Sequence, residues 1–173
     1  MCKEELTKIT TTLKFTHHKL DPKTSDKLIK LIPMSTQLDI MKERVSIFVT
    51  QPGYYYRPHK DGIDHRMSLN YAIQVLDDDC ITSWYKEEEL KKYALTGLTW
   101  QHKSREVKGF DKANHTPAKS MTAKPGECIL FNTDIYHSWD NSNSLNERRV
   151  LTLRDVNVEN VYYDDIKKIL FGN

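Results

Sequence analysis

At 173 residues, 38% of them hydrophobic and 10% aromatic, the chain is sized for one compact domain with a real core. Lys and Arg number 26 against 24 Asp and Glu, and a formal charge of +2 gives no large field to draw in nucleic acid or anionic lipid, which argues against both as partners. Cys2, Cys80 and Cys128 are odd in number and widely spaced, so they read as reduced thiols of a soluble, cytoplasmic protein rather than a disulfide framework or a zinc cluster. No apolar run is long enough for a membrane span, and the charged start MCKEELTKITTT lacks the apolar stretch of a signal peptide.

In residues 6–15 β-branched and polar residues alternate loosely, which predicts an opening strand. Asp21 before Pro22 is a helix start, and Leu28, Ile29, Leu31 and Ile32 carry the helical spacing as far as Pro33. Val45, Ile47 and Val49 alternate into the turn Gln51-Pro52-Gly53, and residues 67–76 repeat a strand pattern. Residues 86–119 open with the charged run KEEELKK and then lose any steady period, which predicts an insertion, either a substrate-facing lid or a solvated excursion. Strand patterns return at residues 120–123, 128–131, 135–140 and 149–156, and Asn160 caps a last amphipathic helix over residues 161–170. Many short strands with a helix at either end predict a mainly β single domain over residues 1–173. Its two facing antiparallel sheets would form a double-stranded β-helix, a cupin-like jelly roll with flanking helices. The open end of such a barrel suits a metal and a small ligand.

His59 and Asp61 are two apart, so on an extended segment both side chains leave the same face and can reach one ion. That pair alone is a weak signal. His137, in the segment FNTDIYHSWDN, supplies a third ligand from a later strand, and two His with one carboxylate leave three octahedral positions open on Fe(II). Two of these suit a bidentate 2-oxo acid and one suits O2, whereas a structural zinc site would close its tetrahedron with four protein ligands.

Three stretches resemble the Fe(II)/2-oxoglutarate-dependent dioxygenase superfamily, nearest to its prolyl hydroxylase and aspartyl/asparaginyl β-hydroxylase branches. VTQPGYYYRPHKDGIDHRMSLNYAI is similar to the run leading into the metal site of that family, and KPGECILFNTDIYHSWDN to its turn-strand-loop-His pattern. ERRVLTLRDV looks like the strand whose first basic residue holds the 5-carboxylate of 2-oxoglutarate. The resemblance implies Fe(II) on His59, Asp61 and His137, with 2-oxoglutarate and O2 consumed, succinate and CO2 released and a C–H bond hydroxylated. Family members carry the basic residue about ten positions after the distal His; here Arg148 lies eleven and Arg149 twelve after His137. A guanidinium suits the task because its planar fork matches a carboxylate at two points.

Register favours Arg149, since Arg149, Leu151 and Leu153 would then form an apolar face pointing inward while Arg148, Thr152 and Arg154 face outward; Arg148 is the alternative. By resemblance Tyr56, three residues before His59, and Arg66, at the start of the next strand, are further co-substrate candidates, each with an ordinary packing or surface role as its rival. Asn70 and Trp84 could line the cavity or belong to plain core. His17 and His18, adjacent on a strand, face opposite ways and cannot easily share an ion, and His65, His102 and His115 read as surface residues.

The resemblance points to an amino-acid residue in a peptide or protein as substrate, with a free amino acid or another small metabolite second. Two other classes stay open: a cupin-like metalloenzyme that does not use 2-oxoglutarate, which leaves the arginine without a task, and a non-catalytic β-sandwich binding module in which the three ligands are coincidental.

Overall fold

A computed structural model describes residues 14–32, 34–61, 67–93, 95–99, 104–154 and 163–172. Most of the expected opening strand, residues 6–13, lies outside these, and the strand that is described begins where that pattern ends, at β1 (Phe15–Lys19). α1 (Pro22–Ile29) starts as predicted: one carboxylate oxygen of Asp21 accepts from the backbone N–H of Lys23 and of Thr24, both at 3.0 Å. The chain continues through β2 (Val45–Thr50), β3 (Tyr54–Lys60), β4 (Met67–Gln74), β5 (Ile81–Trp84), a short α2 (Glu87–Leu90), β6 (Leu95–Thr99) and β7 (Ser104–Val107). β8 (Lys119–Met121), β9 (Cys128–Asn132), β10 (His137–Asn141), β11 (Arg148–Arg154) and α3 (Tyr163–Phe171) complete it.

The strands form two antiparallel sheets, ordered β1-β2-β11-β4-β9 and β6-β7-β3-β10-β5-β8. From β2 onward the chain crosses repeatedly between them, which is the double-stranded β-helix of a cupin-like jelly roll. The first crossing, from β2 to β3, needs a sharp turn: Gly53 takes φ +75° and its N–H donates to the Asn141 carbonyl at 2.9 Å.

The five-stranded sheet is buried on both faces, and the two faces differ in kind. On one, Val45, Ile47, Val49, Met67, Leu69, Leu151 and Leu153 pack against Leu28 of α1, Ile32 and Ile166 of α3, making the main core. The other face looks across to the second sheet and carries Phe48, Asn70, Ala72, Arg148, Val150, Thr152 and Arg154. The orientation expected for β11 is therefore reversed: Arg149 shares the helix side with Leu151 and Leu153, and Arg148 points into the interior. The apolar alternation that favoured Arg149 marks the surface covered by α1 and α3, and the polar alternation marks the inside.

The stretch 86–119 contributes β6 and β7 at one edge of the six-stranded sheet and leads into β8 at the other. β7 pairs with β3 at His59 and Lys60, and β8 pairs with β5. Leu90, Val107 and Phe110 from this stretch form a second apolar cluster with Tyr85 and Tyr136. Among the described residues, no helix is long and apolar enough to cross a membrane.

Candidate metal centre and its cavity

β10 runs beside β3 with His137 opposite His59 and Trp139 opposite Tyr56. Arg57 and Pro58 thus face the single residue Ser138, a β-bulge. Strict alternation would put Tyr56 and His59, three apart, on opposite faces; the extra residue turns both inward. Pro58 is suited to the bulge, since it has no N–H to leave unpaired.

The bulge also orients the imidazole. His59 Nδ1 lies 2.9 Å from the Arg57 carbonyl, and His137 Nδ1 lies 2.8 Å from the Ile135 carbonyl. A carbonyl only accepts, so both Nδ1 atoms carry the proton and both Nε2 atoms present a lone pair. The Asp61 N–H donates to the Thr133 carbonyl at 3.1 Å, which ties the third residue to the turn before β10. His59 Nε2 is 3.7 Å from Asp61 Oδ1, and one donor atom from each of His59, Asp61 and His137 falls within 4.8 Å of the others. Donors at about 2.1 Å from an ion stand roughly 3 Å apart, so His59 and Asp61 need draw in by less than an ångström and the widest pair by up to about 2 Å.

His59 and His137 are 2% and 1% exposed. Burial, and then the neighbouring His137, pushes the His59 pKa down to about 3, and burial lowers that of His137 as well. Both rings are neutral at physiological pH, the form a metal takes. Two imidazole nitrogens and one carboxylate suit a divalent transition metal and leave octahedral positions open. Among the described residues this is the one cluster of three such groups.

β11 faces this centre from the opposite sheet. Arg154 Nη2 lies 3.0 Å from Asp61 Oδ2, and its guanidinium sits 5.3 Å from the Phe48 ring centre. At the other end of the strand, Arg148 is 9% exposed and donates through Nη2 to Thr82 Oγ1 at 3.0 Å. No carboxylate among the described residues pairs with it, and burial lowers its pKa to about 10. Arg149 is the opposite case: its Nε donates to Glu147 Oε1, and Glu147 Oε2 accepts from Gln51 Nε2 at 2.6 Å. The charge of Arg149 is answered by Glu147, and that of Arg148 by no charge among the described residues.

A cavity of about 20 Å³ joins His137 to Arg148 between walls that include Trp139, Thr152 and Phe48. A smaller hollow of about 10 Å³ adjoins it beyond Asn70 and Thr82 and reaches Trp84. Together they admit little more than a water molecule or two as the side chains stand. Arg148 Nε, Arg154 Nε, Trp139 Nε1 and Thr152 Oγ1 are buried without a hydrogen-bond partner among the described residues. Three of these four atoms can only donate, so the walls call for an acceptor-rich, anionic guest.

The residues expected from sequence are thus sorted. His59, Asp61 and His137 converge; Asn70 and Trp84 line the hollows; Arg148 lies on the cavity and Arg149 does not. Tyr56 points inward but stands apart from the cavity walls, stacked on Trp139 at 4.6 Å and edge-on to His59 at 4.5 Å. Arg66, with His65 and His102, lies outside the described residues. Sequence reasoning missed Arg154, Thr152, Trp139 and Thr82. Parity was the available signal for three of them: Arg154 and Thr152 lie an even number of residues from Arg148, and Trp139 two from His137.

No family model matches the chain, and no curated protein matches it. Among solved structures it is similar to an oxidoreductase of the 2OG-Fe(II) oxygenase family from Burkholderia pseudomallei, with TM-score 0.52 and 12% identity over 81% of this chain and 66% of that one. At that identity the likeness is one of fold. More loosely similar are the Cupin_2 domain of an XRE family transcriptional regulator from Enterobacter cloacae (TM-score 0.43, 10% identity, 84% of this chain, 100% of that one) and oxalate oxidase in complex with the substrate analogue glycolate (0.41, 13%, 85% and 53%).

Proposed function

We propose that this chain is a non-haem Fe(II) and 2-oxoglutarate-dependent dioxygenase that hydroxylates a C–H bond. The observation that carries the reading is Arg148: a buried guanidinium with no counter-charge among the described residues, on the same cavity as His137. An uncompensated buried cation is costly unless an anion arrives to meet it. A cupin-like metalloenzyme without 2-oxoglutarate, or a binding module, gives this residue no task.

In this reading His59, Asp61 and His137 hold the metal from one side. Arg154 occupies Oδ2 of Asp61, which leaves Oδ1, the atom nearer His59, for the ion. Arg148 takes the distal carboxylate of 2-oxoglutarate with its planar fork. Phe48 and Val150 give the cavity apolar wall, and the lower dielectric there strengthens each of these charge contacts. When bound, iron and 2-oxoglutarate supply the oxidative chemistry, with O2 as oxidant and succinate and CO2 as by-products. The diacid is larger than the cavity as it stands, so its entry is coupled to rotation of long side chains, with Arg148 exchanging Thr82 for carboxylate. The likeness to the prolyl and aspartyl/asparaginyl hydroxylase branches makes an amino-acid residue of a peptide or protein, or a free amino acid, the substrate class.

The test is succinate formation from 2-oxoglutarate by the Fe(II)-loaded protein in air, without added substrate. The wild type is expected to turn over slowly, Asp61→Ala to lose the activity, and Arg148→Ala to need far more 2-oxoglutarate. No succinate from the wild type, or equal rates in all three, refutes the assignment.

A further inference from the structure

Trp139 follows His137 by two residues on β10, and both side chains face the interior. Its ring is clamped from several sides. Tyr56 stacks on it at 4.6 Å and 17°, the His59 ring meets it edge-on at 5.1 Å, and Phe15 and Phe48 lie 5.5 and 6.1 Å away. A ring held this way does not swing to find a partner for its N–H, and Nε1 is buried without one. Buried indole N–H groups in folded proteins usually have an acceptor. Here the indole stands on the wall of the cavity with His137, while Arg148 stands on the same cavity with no counter-charge among the described residues. Thr152, across the cavity on β11, has a hydroxyl in the same condition.

We infer that Trp139 is a specificity-determining residue whose indole N–H donates to the carboxylate of the co-substrate at its metal end. This rests on the reading of the cavity as a 2-oxoglutarate site and adds a second anchor to it. Arg148 selects for the distal acid group, and Trp139 selects for an acceptor oxygen beside the metal. The stacking rings hold the indole in place and do no recognition themselves, so replacing the ring by another that stacks equally well removes the donor alone.

Trp139→Phe is that replacement. Calorimetric titration of 2-oxoglutarate into Zn(II)-loaded protein, without turnover, is expected to give a Kd about tenfold to a hundredfold weaker than wild type, since the lost bond is to a charged acceptor. Thermal unfolding of the variant reports whether the ring cluster has survived. A second readout uses the unaltered protein. Its indole N–H resonances, one for each of Trp84, Trp100 and Trp139, are followed by 15N NMR, and adding 2-oxoglutarate is expected to move that of Trp139 strongly downfield. A Kd within twofold of wild type in a folded variant, or a Trp139 resonance that stays put when 2-oxoglutarate binds, overturns the inference and leaves the functional reading intact. No binding to the wild-type protein overturns both.

Discussion

Replacing Arg148 with Met is expected to make the ligand-free protein more stable and to remove its hold on 2-oxoglutarate. Burial drags the Arg148 pKa from 12.5 to about 10. At about 1.4 kcal/mol for each pKa unit, that drop of about 2.5 corresponds to about 3 kcal/mol spent keeping the charge in the folded state. Its bond to Thr82 offsets about 1 kcal/mol. Methionine is unbranched and fills the space without a charge, so the net gain is about 2 kcal/mol, or a rise in Tm of about 4–8 °C for a domain of this length. Binding moves the other way. A charge-assisted fork to a buried carboxylate is worth about 2–5 kcal/mol, so the Kd for 2-oxoglutarate is expected to rise about thirtyfold or more. Differential scanning calorimetry of the metal-free protein and titration calorimetry of the Mn(II)-loaded protein measure the two effects. The opposite signs are diagnostic of a residue kept for its ligand. A variant that melts several degrees lower and binds as before would mean that Arg148 is structural.

The same logic makes Arg149→Met a control: it breaks the contact with Glu147, so stability should fall while 2-oxoglutarate affinity stays within twofold of wild type, and a large affinity loss would restore Arg149 to the site. Wild-type protein handled without oxygen should take up about one Mn(II) or Fe(II) per chain, and His59→Ala and His137→Ala should each lose it, as read by elemental analysis after gel filtration. The pH dependence follows from both His pKa values lying below the unfolded value of about 6.5. Above that pH both states hold neutral rings and the stability is fully present; as pH falls toward the His59 value of about 3, the unfolded chain takes up protons that the folded one refuses. Metal-free protein should therefore lose stability on acidification below about pH 6.5, by at most about 1.4 kcal/mol per pH unit for each ring. Urea titrations at pH 7 and pH 5 check this, and a smaller loss in His59→Gln than in wild type assigns the effect.

Much of this arrangement was legible because it depends on local rules. The Asp21-Pro22 helix start, the alternation in residues 45–49 and the Pro52-Gly53 turn each rest on a few neighbouring residues, and each appears where it was expected. That His59, Asp61 and His137 would converge was legible for a different reason, since the two-residue spacing of the first pair and the later His137 follow the order that the family resemblance supplies. What failed was the step from pattern to face. An apolar alternation marks the interior only in a sheet with one buried face. Here α1 and α3 cover the far side, so Leu151 and Leu153 follow the helices and the polar set Arg148, Thr152 and Arg154 is left inside. The bulge at Arg57 and Pro58 was nearly as hidden. Pro58 within Tyr56-Arg57-Pro58-His59 hints at irregular pairing, but the change of parity is defined only by the partner strand.

Those two surprises have one physical origin. A jelly roll that bound nothing could close its two sheets on apolar side chains, with no bulge in β3 and no buried guanidinium on β11. This chain places its main apolar core on the helix side, where Val45, Ile47, Val49, Leu69 and Leu153 are fully buried, and that core does not depend on what lies between the sheets. The interior is thereby free to hold two neutral imidazoles, a carboxylate and two arginines, of which Arg154 is answered by Asp61 and Arg148 by no charge among the described residues. Unequal treatment of two arginines on one strand is hard to explain by folding alone. It follows directly if the strand must neutralise its own metal ligand at one end and wait for an anion at the other.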